Sequence, residues 1–83
     1  MTMKITVYTK PECAQCENVK RWLTWAEIPF ETLDGLEPVT LENLKSHGFA
    51  SFPVVSIDNS LDNAFSGFNY DRLKEIKEHF DEE

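Results

Sequence analysis

The sequence predicts an α/β fold of order β-α-β-α-β-β-α, a four-stranded mixed sheet flanked by three helices. Three observations predict it. Short runs rich in β-branched residues alternate with longer stretches of helical periodicity over the first part of the chain. Strand–helix–strand alternation of this kind implies a parallel crossover. Toward the C-terminus, a short turn at Asp58-Asn59 separates two strand-like runs ahead of a last helical stretch. So short a connection makes an antiparallel hairpin, and the sheet is therefore mixed.

Taken in order, Lys4 to Tyr8 is a short strand, β-branched and compact enough to be buried. Thr9-Lys10-Pro11-Glu12 turns the chain. From Cys13 to about Glu27 the pattern is helical, with Cys16, Val19, Leu23 and Ala26 on one face, and Pro29 ends it. Phe30 to Leu33 is the second strand and Asp34-Gly35 a turn. Pro38 to His47 is the second helix, with Leu41 and Leu44 inward and Gly48 at its C-cap. Pro53 to Ile57 and Leu61 to Phe65 are the third and fourth strands. Tyr70 to Phe80 is the last helix, with Leu73, Ile76, Lys77 and Phe80 at helical spacing. No repeat or low-complexity linker interrupts the chain, so residues 1–83 are expected to form one domain.

Composition bounds the function. Hydrophobic content of 41% argues for a packed core rather than disorder. Eight basic against 15 acidic residues give a net charge of −7, which disfavours nucleic acid and anionic membrane as partners. Asp81-Glu82-Glu83 reads as a solubilising tail. Residues 1–3 lead straight into strand-like sequence without a secretory pattern, and no apolar run reaches membrane-span length. Two cysteines are too few for a secreted disulfide scaffold. The expected compartment is the cytoplasm, with the thiols reduced at rest.

Those two cysteines stand together as Cys13-Ala14-Gln15-Cys16, between the first strand and the first helix. C-x-x-C in that setting points to thiol–disulfide chemistry. The amides of a helix's first turn lack intrahelical partners and favour a thiolate, which is the nucleophile. The competing readings are a zinc half-site and inert buried thiols. A structural zinc site needs four ligands, and His47 and His79 do not have the spacing of a common finger. Both histidines read as solvated surface residues. Lys10 is either a solvated lysine or a cation near the thiolate, while Glu12 and Glu17 act the other way. Pro53, read alone, simply starts a strand. Phe65 and Phe68 are either core residues or apolar contacts for a protein surface. Trp25 falls opposite Cys16 and should face solvent, either folded over neighbouring apolar surface or marking a contact.

Three segments also carry a family resemblance. Val7-Tyr8-Thr9-Lys10-Pro11-Glu12-Cys13-Ala14-Gln15-Cys16 is similar to the active-site segment of small glutaredoxin-like proteins, and its C-x-Q-C form resembles the NrdH redoxins. Phe52-Pro53-Val54-Val55 resembles their second active-site segment, and Ser66-Gly67-Phe68-Asn69-Tyr70-Asp71 their S-G-F-x-x-D stretch. The resemblance implies the thioredoxin fold, with Cys13 as attacking and Cys16 as resolving thiol. It implies a cis Phe52–Pro53 bond beside them and a groove lined by Ser66, Gly67 and Phe68. Lys10, Gln15 and Phe52 complete the expected partner-binding set. It further implies electron carriage to class Ib ribonucleotide reductase and recharging by NADPH-dependent thioredoxin reductase. A monomer without metal or organic cofactor is expected. The chain departs from the family pattern at Phe65, where Trp is usual, and at Asn69 and Tyr70, where Arg and Pro are common. A glutathione site typically uses a Gly-Gly and acidic pair at the last helix. Here there is one Gly, with Asp71 left to cap the helix. The rival functions are a glutathione-fed glutaredoxin, a redox-switched docking module, and iron–sulfur carriage by a dimer.

Overall fold

A computed structural model of the chain describes residues 4–82. Its elements follow the predicted order: β1 (Ile5–Thr9), α1 (Ala14–Trp25), β2 (Phe30–Asp34), α2 (Pro38–Ser46), β3 (Val54–Ile57), β4 (Ser60–Ser66) and α3 (Tyr70–Glu82). The readings of residues 1–3 and of the acidic side chains at Asp81-Glu82-Glu83 lie outside the described residues. Among the described residues, no helix is long and apolar enough to cross a membrane.

The sheet runs β2-β1-β3-β4. β1 lies parallel to β2, from Ile5 opposite Phe30 to Thr9 opposite Asp34. On its other edge β1 is antiparallel to β3, with Val7 opposite Val55. β4 then folds back antiparallel on β3 through Asp58 and Asn59, both left-handed at φ 54° and 62°. Two successive left-handed residues make the turn whose twist suits a hairpin, and Asp and Asn tolerate that conformation best after glycine. The inner strands are the apolar ones. Ile5, Thr6, Val7, Val54, Val55 and Ser56 are all buried, as strands covered on both faces must be.

One face of the sheet carries the main core. Ile5, Val7 and Val55 meet Val19 and Leu23 of α1 and Leu73 and Ile76 of α3 in a single cluster. The alternate positions Thr6 and Val54 point to the other face, and Leu44 of α2 is buried outside that cluster. The β3–β4 register shifts between Val55 and Ile57. At this irregularity the hydroxyl of Ser56 is buried and has no hydrogen-bond partner among the described residues. A buried hydroxyl without a partner costs about 1–3 kcal/mol. Ser56→Ala should therefore stabilise the fold by roughly 1 kcal/mol, read as a higher denaturation midpoint at unchanged m-value. A fall in the midpoint would show that the hydroxyl is satisfied.

Two helix ends differ from the sequence expectation. α1 stops at Trp25, four residues before Pro29, because the backbone itself closes it. Glu27 takes a left-handed φ of 60°, and Ile28 N–H donates to the Leu23 carbonyl at 3.0 Å. This is a Schellman closure, and Ile28, the residue it turns inward, is buried in the core. α3 is capped by Asn69 and not by Asp71: Asn69 Oδ1 accepts from Arg72 N–H at 3.2 Å. Asp71 sits in the first turn, where a negative charge favours the helix dipole.

At the start of α2, Pro38 follows Glu37, whose carboxylate accepts from the N–H groups of Thr40 at 3.0 Å and Val39 at 3.3 Å. The Thr40 N–H, then its hydroxyl, then the Val39 N–H hold the Glu37 carboxyl below the ordinary glutamate value. A depressed folded value means that this cap acts above the ordinary glutamate range and is lost as pH falls through the lower folded value. In an NMR titration, the Thr40 and Val39 amide shifts should move with a midpoint below that of free glutamate. Glu37→Gln should remove the transition. A midpoint at or above the free value would contradict the cap.

Candidate redox site

Cys13 is the N-cap of α1. Behind it, Thr9 ends β1, Lys10 and Pro11 turn, and Glu12 takes a left-handed φ of 58°. A non-glycine residue there costs about 1–2 kcal/mol, and such strain is held where the chain must be aimed. Cys13 itself is extended at φ −112° and ψ 103°, and its Sγ accepts from Cys16 N–H at 3.1 Å. That N–H is one of the first-turn donors with no intrahelical acceptor, so the sulfur fills the place a serine or aspartate oxygen usually takes.

The two sulfurs are joined as a disulfide, with the Cα atoms 5.2 Å apart. Their surroundings differ. Cys13 is half-buried at the rim. Cys16, on the inward stripe with Val19 and Leu23, is 1% exposed. Glu17 would oppose a negative Cys13 sulfur, but Lys20 Nζ lies 2.8 Å from its carboxylate. The Lys20 hydrogen bond and charge, with Arg21 adding at longer range, hold Glu17 below the ordinary glutamate value. The acid beside the helix start thus has a counter-charge within its own helix.

The predicted partner-binding residues fall into a connected set with one exception. The Phe52–Pro53 bond is cis, as the resemblance implies. Pro53 is buried, and its carbonyl accepts from Gly67 N–H at 2.8 Å. Gly67 has a φ of +77°, which only glycine adopts without strain. It sits close under Gln15: a Cβ there would lie 3.3 Å from Gln15 Oε1. The same Oε1 accepts from Phe68 N–H at 3.4 Å. Gln15, between the cysteines, is therefore tied to the segment after β4, and Gly67 in turn to Pro53. Ser66, exposed at the end of β4, pairs with Val54. Lys10 is the exception. It is exposed and makes no ion pair among the described residues.

The two phenylalanines separate. Phe68 is 41% exposed, whereas Phe65 is 6% exposed and belongs to the core, with the Arg72 guanidinium 5.1 Å above its ring. Phe65 is thus not available as a surface contact, because β4 turns it inward against β3. Gly35 is a site neighbour that sequence reasoning took only for a turn. A Cβ on it would run into the ring of half-buried Phe52, leaving Cζ only 2.7 Å away. No local signal marks this contact, which joins residues far apart in the chain.

Comparison with known proteins agrees with this geometry. Residues 5–61 match the glutaredoxin family model. The chain is 38% identical over 73 residues to the glutaredoxin-like protein NrdH of Lactococcus lactis, covering 87% of this chain and 97% of that one. It is 33% identical over 75 residues to Escherichia coli NrdH, covering 89% of each. The structure of the E. coli NrdH-redoxin superposes with a TM-score of 0.78 at 32% identity, over 88% of this chain and 93% of that one. With a thioredoxin-fold sheet, a Cys13–Cys16 disulfide at a helix start and these relatives, the chain belongs to the glutaredoxin family, as an NrdH-type thiol–disulfide oxidoreductase.

Proposed function

We propose that this protein is a cytoplasmic, monomeric dithiol carrier that reduces the disulfide of a class Ib ribonucleotide reductase and is recharged by thioredoxin reductase. In the first step, the Cys13 thiolate attacks one sulfur of the target disulfide. A Cys13–target bond forms, the target's own S–S bond breaks, and its second sulfur leaves as a thiolate. In the second step Cys16, deprotonated, attacks Cys13 Sγ. The Cys13–Cys16 disulfide forms and the first target sulfur leaves. Two electrons have passed to the target, whose sulfurs take their protons from solvent. The carrier then needs two electrons from NADPH, delivered by the reductase.

The observation that carries this reading is the N-cap contact between Cys13 Sγ and Cys16 N–H, at a half-buried sulfur backed by a sealed one. It supplies both a stabilised thiolate and a resolving group in reach. The named partners rest on the family resemblance, which the NrdH relatives support as to type. The segment after β4 supports a protein donor over glutathione: it presents the exposed rings of Phe68 and Tyr70, which suit apolar contact with a protein surface. The test is NADPH oxidation with the oxidised protein as substrate. One arm uses thioredoxin reductase and the other glutathione with glutathione reductase. Faster turnover is expected with thioredoxin reductase. Faster turnover in the glutathione arm would make it a glutathione-fed glutaredoxin, and turnover in neither arm would leave a docking module.

A further inference from the structure

We propose that the groove between α1 and Phe68 binds an extended segment of the target protein, one that flanks its disulfide and carries an apolar side chain with a carboxylate beside it. The proposal rests on the reductase reading and names what its substrates share. Asn18, Arg21, Trp22 and Trp25 form one stripe of α1, at the i, i+3, i+4, i+7 spacing. With Phe68 opposite, they enclose a shallow groove of about 380 Å³.

Its wall is aromatic and braced. The Trp22 and Trp25 rings lie 6.2 Å apart, and Trp22 meets Tyr70 edge-on at 6.4 Å. Trp25 is nonetheless 73% exposed and Tyr70 55%. Tryptophan is seldom left so open, and Trp, Tyr, Phe and Arg are the residues enriched where proteins meet. Among the described residues, Arg21 is the one charged group that lines the groove. Its neighbour Lys20 is held by Glu17, whereas Arg21 has no ion pair among the described residues and acts on Glu17 only at longer range. On a chain of net charge −7, this is a place where a carboxylate is attracted. One wall of the groove is also tied to the dithiol segment. Phe68, its far wall, donates to Gln15, which stands between the two cysteines. A target whose disulfide lies on Cys13 therefore has this wall within reach of its neighbouring residues.

The test uses two synthetic peptides with the same internal disulfide, one flanked by Asp-Phe-Glu and the other by Ser-Gly-Ser. Reduction is followed for the native protein, Trp25→Ala and Arg21→Ala, with neutral dithiodipyridine as a substrate that has no flanks. Calorimetry measures binding of the acidic–aromatic peptide with serines in place of its cysteines. The native protein should prefer the acidic–aromatic peptide by about tenfold in kcat/KM, equal to about 1.4 kcal/mol. Either substitution should erase most of that preference and of the calorimetric binding while leaving the dithiodipyridine rate unchanged. Added salt should weaken binding to the native protein more than to Arg21→Ala. Equal kcat/KM for the two peptides, or a preference that survives both substitutions, overturns the proposal. So does concentration-dependent self-association abolished by Trp25→Ala, since a second copy would then be the occupant. If dithiodipyridine is not reduced at all, the reductase reading fails, and binding of the serine peptide still decides whether the groove accepts such a segment.

Discussion

Cys13→Ser should abolish reduction of protein disulfides, whereas Cys16→Ser should leave a protein that reacts once and stalls as a mixed disulfide. The difference comes from position on one helix. Cys13 is the N-cap, half-buried, with its sulfur on a first-turn N–H. A thiolate there gains from the helix terminus, so its pKa should lie below the ordinary value of about 8.5. A serine hydroxyl at the same point accepts the same bond but is not ionised near neutral pH, and the nucleophile is gone. Cys16 is sealed against the sheet and reaches only a sulfur already bound to Cys13. Alkylation of the reduced protein at neutral pH should label Cys13 far faster than Cys16, and mass spectrometry of Cys16→Ser after reaction should show the trapped adduct. Faster labelling of Cys16 would invert the assignment. A Cys13 pKa at or above the ordinary value would remove the helix-terminus argument.

Gly35→Ala should destabilise the fold by about 1–3 kcal/mol, the usual cost of forcing extra volume into a packed contact. The added methyl would overlap the Phe52 ring, with Cζ at 2.7 Å and Cδ1 at 2.9 Å. Gly35 cannot readily back away, because its N–H donates to the Thr9 carbonyl at 2.8 Å and so anchors it to the end of β1. Phe52 must move instead, and it adjoins Pro53, which is tied to Gly67. Activity on a protein disulfide should therefore fall further than the fraction unfolded accounts for. A double-mutant cycle isolates the cause: in a Phe52→Ala background, the cost of Gly35→Ala should nearly vanish. An equal cost in both backgrounds would place the strain elsewhere than at the ring.

Legibility from sequence followed the range of the interaction involved. Every element was visible, because β-branched runs, the helical spacing of Val19, Leu23, Leu73 and Ile76, and the Asp58-Asn59 turn are local signals. The cysteine pair was visible for the same reason. Element ends were less so. Pro29 is an obvious stop, yet α1 ends earlier, on a left-handed Glu27 that nothing in its residue type announces. Asp71 was the plausible cap of α3, and Asn69 takes the role because it lies one residue before the first helical turn.

By itself, then, the sequence determined which residues can do chemistry and which faces must be hidden, since both depend on residue type and spacing within a few positions. Only the tertiary structure decided which distant residues meet. Gln15 meets Phe68 across 53 positions of chain. Gly35 underlies Phe52, Phe65 turns inward under Arg72 while Phe68 stays outside, and Trp25 is left open against Trp22 and Tyr70. These contacts arise where sheet order brings distant segments together, and no periodicity along the chain encodes a distance across it.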